Sequence, residues 1–482
     1  MASPLDLFIA GAWLSGTGDE ETVVVDPADE SPVATLRHAS DADIEAALDA
    51  AASTLPEWWA LGADERAAIL RRAADLIEER AEELAVVLTT EQGKPLGEAV
   101  GELRRAAETI RWYGNEAPRL VSHVDSDLET DPGLRRILAP EPVGVVAALT
   151  AWNFPAVLPA RKLGPALAAG CTVILKAAEE TPGTALGLAR AFADAGLPPG
   201  VLNVVFGEPA QISQRLLASP IVRKLSFTGS VAVGKQLAAA ASQNLVRCTL
   251  ELGGHAPMIV LPDADLDQAV EAASAFKWRN AGQVCLAPSR FYVHRSIIDG
   301  FIDRFTAKAR RLKIGHGLEP GVEMGPLNNP RRLAAMEGFV RDAVDRGATL
   351  IEGGKRLGEK GFFFPPTILA DTPEEAEVMN LEPFGPIAPF ADFVDVEEVL
   401  KRANRLPYGL AAYVFTGSEE TARFMAARLE AGTVGINCFR PAPTDAPLGG
   451  VKDSGYGYEG GREGLEAFVH YKLVNEMGVA AS

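Results

Sequence analysis

The feature that most constrains this chain is a rhythm that sets in near residue 143. Short runs rich in β-branched residues at 144–149, 172–176, 202–206, 224–228 and 257–261 are separated by Ala- and Leu-rich stretches such as 183–195 and 231–241. Apolar runs this short, alternating with helical segments, predict a parallel sheet buried on both faces with helices packed over it. A second block repeats the pattern, with a helix around 263–280, a strand at 291–293, helices near 297–312 and 330–346, and a strand at 433–437. Ahead of both, residues 40–120 read as helices. Leu70, Ala73, Ile77, Ala81 and Leu84 step by three or four along one face, while Arg71, Arg72, Glu78, Glu79 and Glu82 occupy the other. Residues 121–143 are polar and turn-rich around Asp131, Pro132 and Gly133, which predicts a hairpin leaving the body, and the tail from Val469 has strand character. A chain of 482 residues is long enough for two or three packed units.

Composition narrows the partners. With 47% hydrophobic and 23% charged residues the balance is that of a globular protein. The net charge of -19 has the wrong sign for a polyphosphate backbone or an anionic bilayer, so neither nucleic acid nor a membrane is expected. The opening residues lack a basic stretch and are interrupted by Gly11, so no leader or anchor is expected there. Cys171, Cys248, Cys285 and Cys438 stand far apart and the six histidines are scattered. Neither a disulfide framework nor a metal site is expected, and the cytoplasm is the expected compartment.

Cys285 closes the run Asn280-Ala281-Gly282-Gln283-Val284-Cys285, after a helical stretch, where Gly282 leaves room for close approach to a thiol. Glu251 follows the strand-like run 245–250 and precedes Gly253 and Gly254. That order delivers a carboxylate to the carboxyl end of a strand, where α/β proteins hold their ligands. The glycine spacing of an ordinary dinucleotide fingerprint is absent after the first strand. Gly229, Ser230 and Gly234 instead open the helix after 224–228, whose free amides suit one phosphate.

These residues belong to a longer series in chain order: Trp152-Asn153-Phe154-Pro155, Lys176-Ala177-Ala178-Glu179, Phe227-Thr228-Gly229-Ser230, Glu251-Leu252-Gly253-Gly254, Gly282-Gln283-Val284-Cys285, Glu382-Pro383-Phe384-Gly385-Pro386 and Pro447-Leu448-Gly449-Gly450. In this series, and in the 34-residue step from Glu251 to Cys285, the chain resembles the aldehyde dehydrogenase superfamily over nearly its whole length, and most closely its succinate-semialdehyde group. The resemblance implies an α/β fold of two parallel-sheet, Rossmann-like domains plus a small β oligomerisation arm. Residues 1–120 and 143–252 would bind NAD, 253–440 would form the catalytic domain, and 121–142 with 468–482 would form the arm of a homodimer or homotetramer.

The same resemblance assigns roles. Cys285 attacks the aldehyde to give a thiohemiacetal, with Asn153 and the Cys285 N–H holding the oxyanion. Hydride loss to the nicotinamide leaves a thioester, and Glu251 is the general base for its hydrolysis, which makes the free acid the product. Lys176 and Glu179 match residues at the adenosine ribose, Glu382 and Phe384 match those at the nicotinamide ribose and ring, and Trp152 and Ser230 belong to the same pocket. A carboxylate accepts from a 2′-hydroxyl but repels a 2′-phosphate, so NAD is expected over NADP.

Arg161 and Arg279 match positions at which succinate-semialdehyde dehydrogenases hold the substrate carboxylate, and Phe154 and Phe439 are expected beside them. A guanidinium clamps a carboxylate through two parallel hydrogen bonds, so a short ω-oxo acid is implied. The alternative is an uncharged aromatic or aliphatic aldehyde, with the arginines serving structure. Ala442 and Pro443 stand where that group carries a serine, which leaves room for a longer or otherwise anionic substrate.

Overall fold

The computed structural model describes residues 3–126, 133–440 and 442–477. Its first large sheet has eight strands in the order Gly455–Tyr456, Arg247–Leu252, Val222–Gly229, Val145–Leu149, Thr172–Lys176, Leu202–Val205, Leu7–Ile9 and Ala12–Leu14. The five strands from Arg247–Leu252 to Leu202–Val205 are parallel, and the outer ones are antiparallel. Strand order runs outward from Val145–Leu149 on one side and from Val222–Gly229 on the other. The connections therefore diverge between these two neighbours and leave a crevice at their carboxyl ends, where open α/β sheets hold ligands.

Helices Val157–Ala168, Pro182–Asp194, Pro209–Ala218 and Val231–Ser242 alternate with these strands. Four further helices, Asp41–Ala60, Ala63–Glu79, Ala81–Gln92 and Leu96–Glu116, join the same core. Ser40 starts the first of them because its side chain accepts from Asp43 N at 3.2 Å, while the Asp43 carboxylate accepts from Ser40 N at 2.8 Å.

The second large sheet runs Thr349–Glu352, Thr367–Ala370, Ile387–Phe393, Pro288–His294, Ala256–Val260, Ala411–Phe415 and Thr433–Ile436. It is parallel except at its first edge strand. It has its own core, with Phe291, Phe301, Phe305 and Phe390 at its centre. Strands His123–Ser126, Leu134–Pro142 and Val469–Met477 form a separate antiparallel sheet. Among the described residues no helix is long and apolar enough to cross a membrane.

Four sequence expectations need correction or completion. The stripe from Leu70 to Leu84 is not one helix: the chain turns at Arg80 (φ -93°, ψ 6°), and Ala81 opens a new one. The run at 257–261 belongs to the second sheet, not to the first alternating block. Residues 3–37 form short strands where no structure was expected, and 455–468 return to the first sheet and its core. The expected turn at Asp131 and Pro132, and the end of the tail at 478–482, lie outside the described residues.

Candidate active site

One cleft of about 1840 Å³ is lined by the first large sheet and by segments that connect the strands of the second. Cys285, Glu251 and Asn153 all face it. Glu251 lies inside its strand, Arg247–Leu252, one residue from the carboxyl end, not just beyond it. Cys285 lies between the short helical turn Arg279–Gly282 and strand Pro288–His294.

Asn153 sits in the turn between strand Val145–Leu149 and helix Val157–Ala168. Lys94, Glu98 and Glu102, spaced by four residues, tie this turn to the cysteine loop. Lys94 Nζ donates to Glu102 Oε2 at 2.6 Å and to the Asn153 carbonyl at 2.9 Å. Glu102 Oε1 accepts from the Ala156 and Val157 amides at 2.8 and 3.2 Å, at the opening of the next helix. Glu98 Oε2 accepts from Asn280 N at 3.0 Å, and Asn280 Nδ2 donates to the Asn153 carbonyl at 2.9 Å. Asn280 and Ala281 both have φ 51°, a left-handed conformation that an alanine holds only under constraint. Asn153 Nδ2 donates to the Gln283 carbonyl at 3.1 Å, which uses one of its two N–H groups and leaves the other free to donate.

The electrostatics favour neutral forms of both reactive groups. Burial pushes the Cys285 thiol up to about 12, with the charges of Glu382 and Glu251 adding to it and Arg161 opposing. Burial also raises Glu251 well above the ordinary carboxylate range, and the charge of Glu459 adds to that, while Lys162 and Arg161 oppose it. Glu251 Oε1 is buried without a hydrogen-bond partner. Lys162 Nζ is itself held by Glu459 at 2.5 Å and Thr228 at 2.8 Å.

The other arm of the cleft fits a dinucleotide. Lys176 Nζ donates to Glu179 Oε2 at 2.6 Å, and Glu179 Oε1 accepts from Gly207 N at 3.0 Å. Gly229 and Ser230 line the cleft where helix Val231–Ser242 begins, and Ser230 Oγ caps that helix through Val233 N at 3.4 Å. The remaining first-turn amides are available to an anion. Glu382 is raised to about 7, chiefly by burial, while a hydrogen bond from the Gly254 amide opposes the shift. A Cβ on Gly253 would stand 2.4 Å from Glu382 Oε2, so glycine makes that approach possible. Trp152 and Phe384 meet edge to face at 5.6 Å.

One expected cofactor residue is not there. Gly234 does not line the cleft: it lies one turn into the helix, where a Cβ would stand 2.4 Å from Leu252 Cδ2. Its lack of a side chain serves helix–sheet packing. Arg332 lines the cleft instead, donating to the Pro383 carbonyl and lying 5.8 Å over the Phe384 ring, with its Nε buried and unpaired. Nothing in the sequence around Arg332 distinguishes it from the surface arginine beside it.

At the opposite end Phe154, Phe439, Arg161 and Arg279 line the cleft together. Phe439 stacks on Phe276 at 5.0 Å, and Arg279 lies 5.6 Å over Phe154. Arg161 Nη2 donates to the Ala442 carbonyl at 3.3 Å. Sequence reading missed Lys94, Glu98 and Glu102, for which the four-residue spacing was the only sign, and missed Arg105 and Arg440, which also line the cleft.

Comparison with known proteins agrees with this geometry. The profile of the aldehyde dehydrogenase family matches residues 13–474. The chain is 44% identical to 4-(hydroxymethyl)benzenesulfonate dehydrogenase TsaD1 of Comamonas testosteroni over 98% of each chain. It is 43% identical to succinate-semialdehyde dehydrogenase [NADP(+)] GabD of Escherichia coli, over 97% of this chain and 96% of that one. The crystal structure of succinate-semialdehyde dehydrogenase from Burkholderia pseudomallei superposes with a TM-score of 0.96 at 43% identity, covering 98% of both chains. With that match over nearly all of its length, and with a thiol, a carboxylate and an amide facing one cleft, this chain belongs to the aldehyde dehydrogenase family.

Proposed function

We propose that this enzyme oxidises an aldehyde bearing a remote anionic group, of the succinate- or glutarate-semialdehyde kind, to the free carboxylic acid. The observation that carries the reading is Arg161. Its charge is felt by both Cys285 and Glu251, it has no carboxylate partner among the described residues, and it shares one end of the cleft with Arg279. Relatives named for semialdehydes and for a sulfonate have in common an anion remote from the reacting carbon.

In this reading Cys285 is the nucleophile and must lose its proton before attack, because burial holds the thiol neutral. The free N–H of Asn153 and the Cys285 amide receive the oxyanion. When bound, the nicotinamide accepts the hydride that leaves the substrate carbon. Glu251 then takes a proton from the water that attacks the thioester. The first sheet unit holds the dinucleotide, the second carries the thiol, and the separate three-stranded sheet serves assembly. Glu179 favours NAD over NADP.

Steady-state kinetics of Arg161→Gln and Arg279→Gln test the reading. Each substitution should lower kcat/KM for succinate semialdehyde by about tenfold or more relative to that for butanal, the value of a charged hydrogen bond. Equal losses for both aldehydes would refute it.

A further inference from the structure

We infer that the substrate carries two negative charges remote from its aldehyde, and that Arg105 and Arg440 receive the second; this rests on the anionic-aldehyde reading above. The guanidinium-bearing residues Arg105, Arg161, Arg279 and Arg440 all line the cleft. Arg105 lies one helical turn beyond Glu102, whose carboxylate is fixed to the opening amides of helix Val157–Ala168. Arg105 thereby stands beside the helix that carries Arg161. Arg440 follows Phe439, which is stacked on Phe276, and lies two residues before Ala442, whose carbonyl holds Arg161. The walls carrying these arginines are therefore joined through Arg161.

Acidic residues outnumber basic ones, 65 to 46, so carboxylate partners are abundant. Yet only Arg279 has one within ion-pair distance, Glu98 at 3.9 Å, and Arg105, Arg161 and Arg440 have none among the described residues. Cations that line a cleft without a carboxylate partner repel one another and gain nothing for the fold. One carboxylate is satisfied by one or two guanidiniums through paired hydrogen bonds, which leaves two cations unused. A second anionic group on the same aldehyde uses them.

The test compares kcat/KM for butanal, for succinate semialdehyde, and for an analogue of the latter carrying a second carboxylate on the same chain. The wild-type enzyme should prefer the dicarboxylate. Arg105→Gln and Arg440→Gln should each lower kcat/KM for it by about tenfold while changing the monocarboxylate less than about threefold. Their melting temperatures should not fall, because neither residue has a folding partner to lose. The dicarboxylate should also show the steeper loss of kcat/KM with added salt. Equal effects on both anionic substrates, or no effect on either, would overturn the second-anion site while leaving the first intact. A wild-type enzyme indifferent to charge, with butanal as good as the anions, would overturn the underlying reading as well.

Discussion

A carboxylate that acts as a base inside a protein is most effective where its charged form is costly, because its proton affinity then rises toward that of the species it must deprotonate. Glu251 meets that condition through burial and through Glu459. Its raised pKa fixes the sign of the pH effect: thioester hydrolysis should quicken as pH rises through a value above the ordinary carboxylate range, and acid should arrest it. Glu251→Gln should still release about one equivalent of reduced nicotinamide per chain in a rapid burst, but turn over some 10²- to 10⁴-fold more slowly and without that pH dependence. Stopped-flow absorbance measures both, and a variant with undiminished turnover would remove Glu251 from the mechanism. At the other end of the cleft, Glu179→Ser should raise the NADP-to-NAD ratio of kcat/KM by about tenfold, since it removes a carboxylate that repels a 2′-phosphate. Cys285, Glu251 and Asn153 were legible because their types and order are chemically restrictive. Arg332 and Arg440 were not, since a lone arginine in a sequence does not say whether it meets a carboxylate, water or a ligand.

The helix Leu96–Glu116 shows how an element that carries none of the reacting groups governs their geometry. Lys94 and Glu102 are each 2% exposed or less, and they satisfy one another while holding the turn that carries Asn153. Removing one partner of a buried pair strands the other charge, so Lys94→Met should cost about 3–5 kcal/mol of unfolding free energy in denaturant titrations. The double variant Lys94→Met/Glu102→Gln should recover most of that loss, and a double variant no more stable than the single one would show that the pair is not the origin of the effect. Such pairs escape sequence reading because alternating charges at a spacing of four are also the signature of a solvated helix face. Elements were legible where the pattern was regular, as in Thr172–Lys176, and were missed where it was broken. Ile387–Phe393 is a buried strand with Pro389 inside it, and Ser3–Leu5, Leu7–Ile9 and Ala12–Leu14 are too short for any periodicity to appear.

At the scale of the whole molecule, the three-stranded sheet poses a problem that one copy of the chain does not solve. Val469–Met477 is an edge strand of nine residues, paired on one side to Leu134–Pro142 and open on the other. Side chains alternate along it, so Tyr471, Leu473 and Met477 share a face, and Leu138 lies opposite Leu473 on that same face. These four are 47%, 56%, 64% and 38% exposed, respectively. An apolar row along an open edge is a template for association, which stable proteins cover. A second copy of the chain, laid against this sheet, would cover it, which agrees with the oligomerisation arm that the family resemblance implies. Leu473→Glu should weaken that association by about 1.5–3 kcal/mol per copy, the value of burying a leucine. Sedimentation velocity should then show a smaller particle at concentrations where the wild-type chain is assembled, with kcat per active thiol retained. A variant that sediments like the wild type would place the interface on another face.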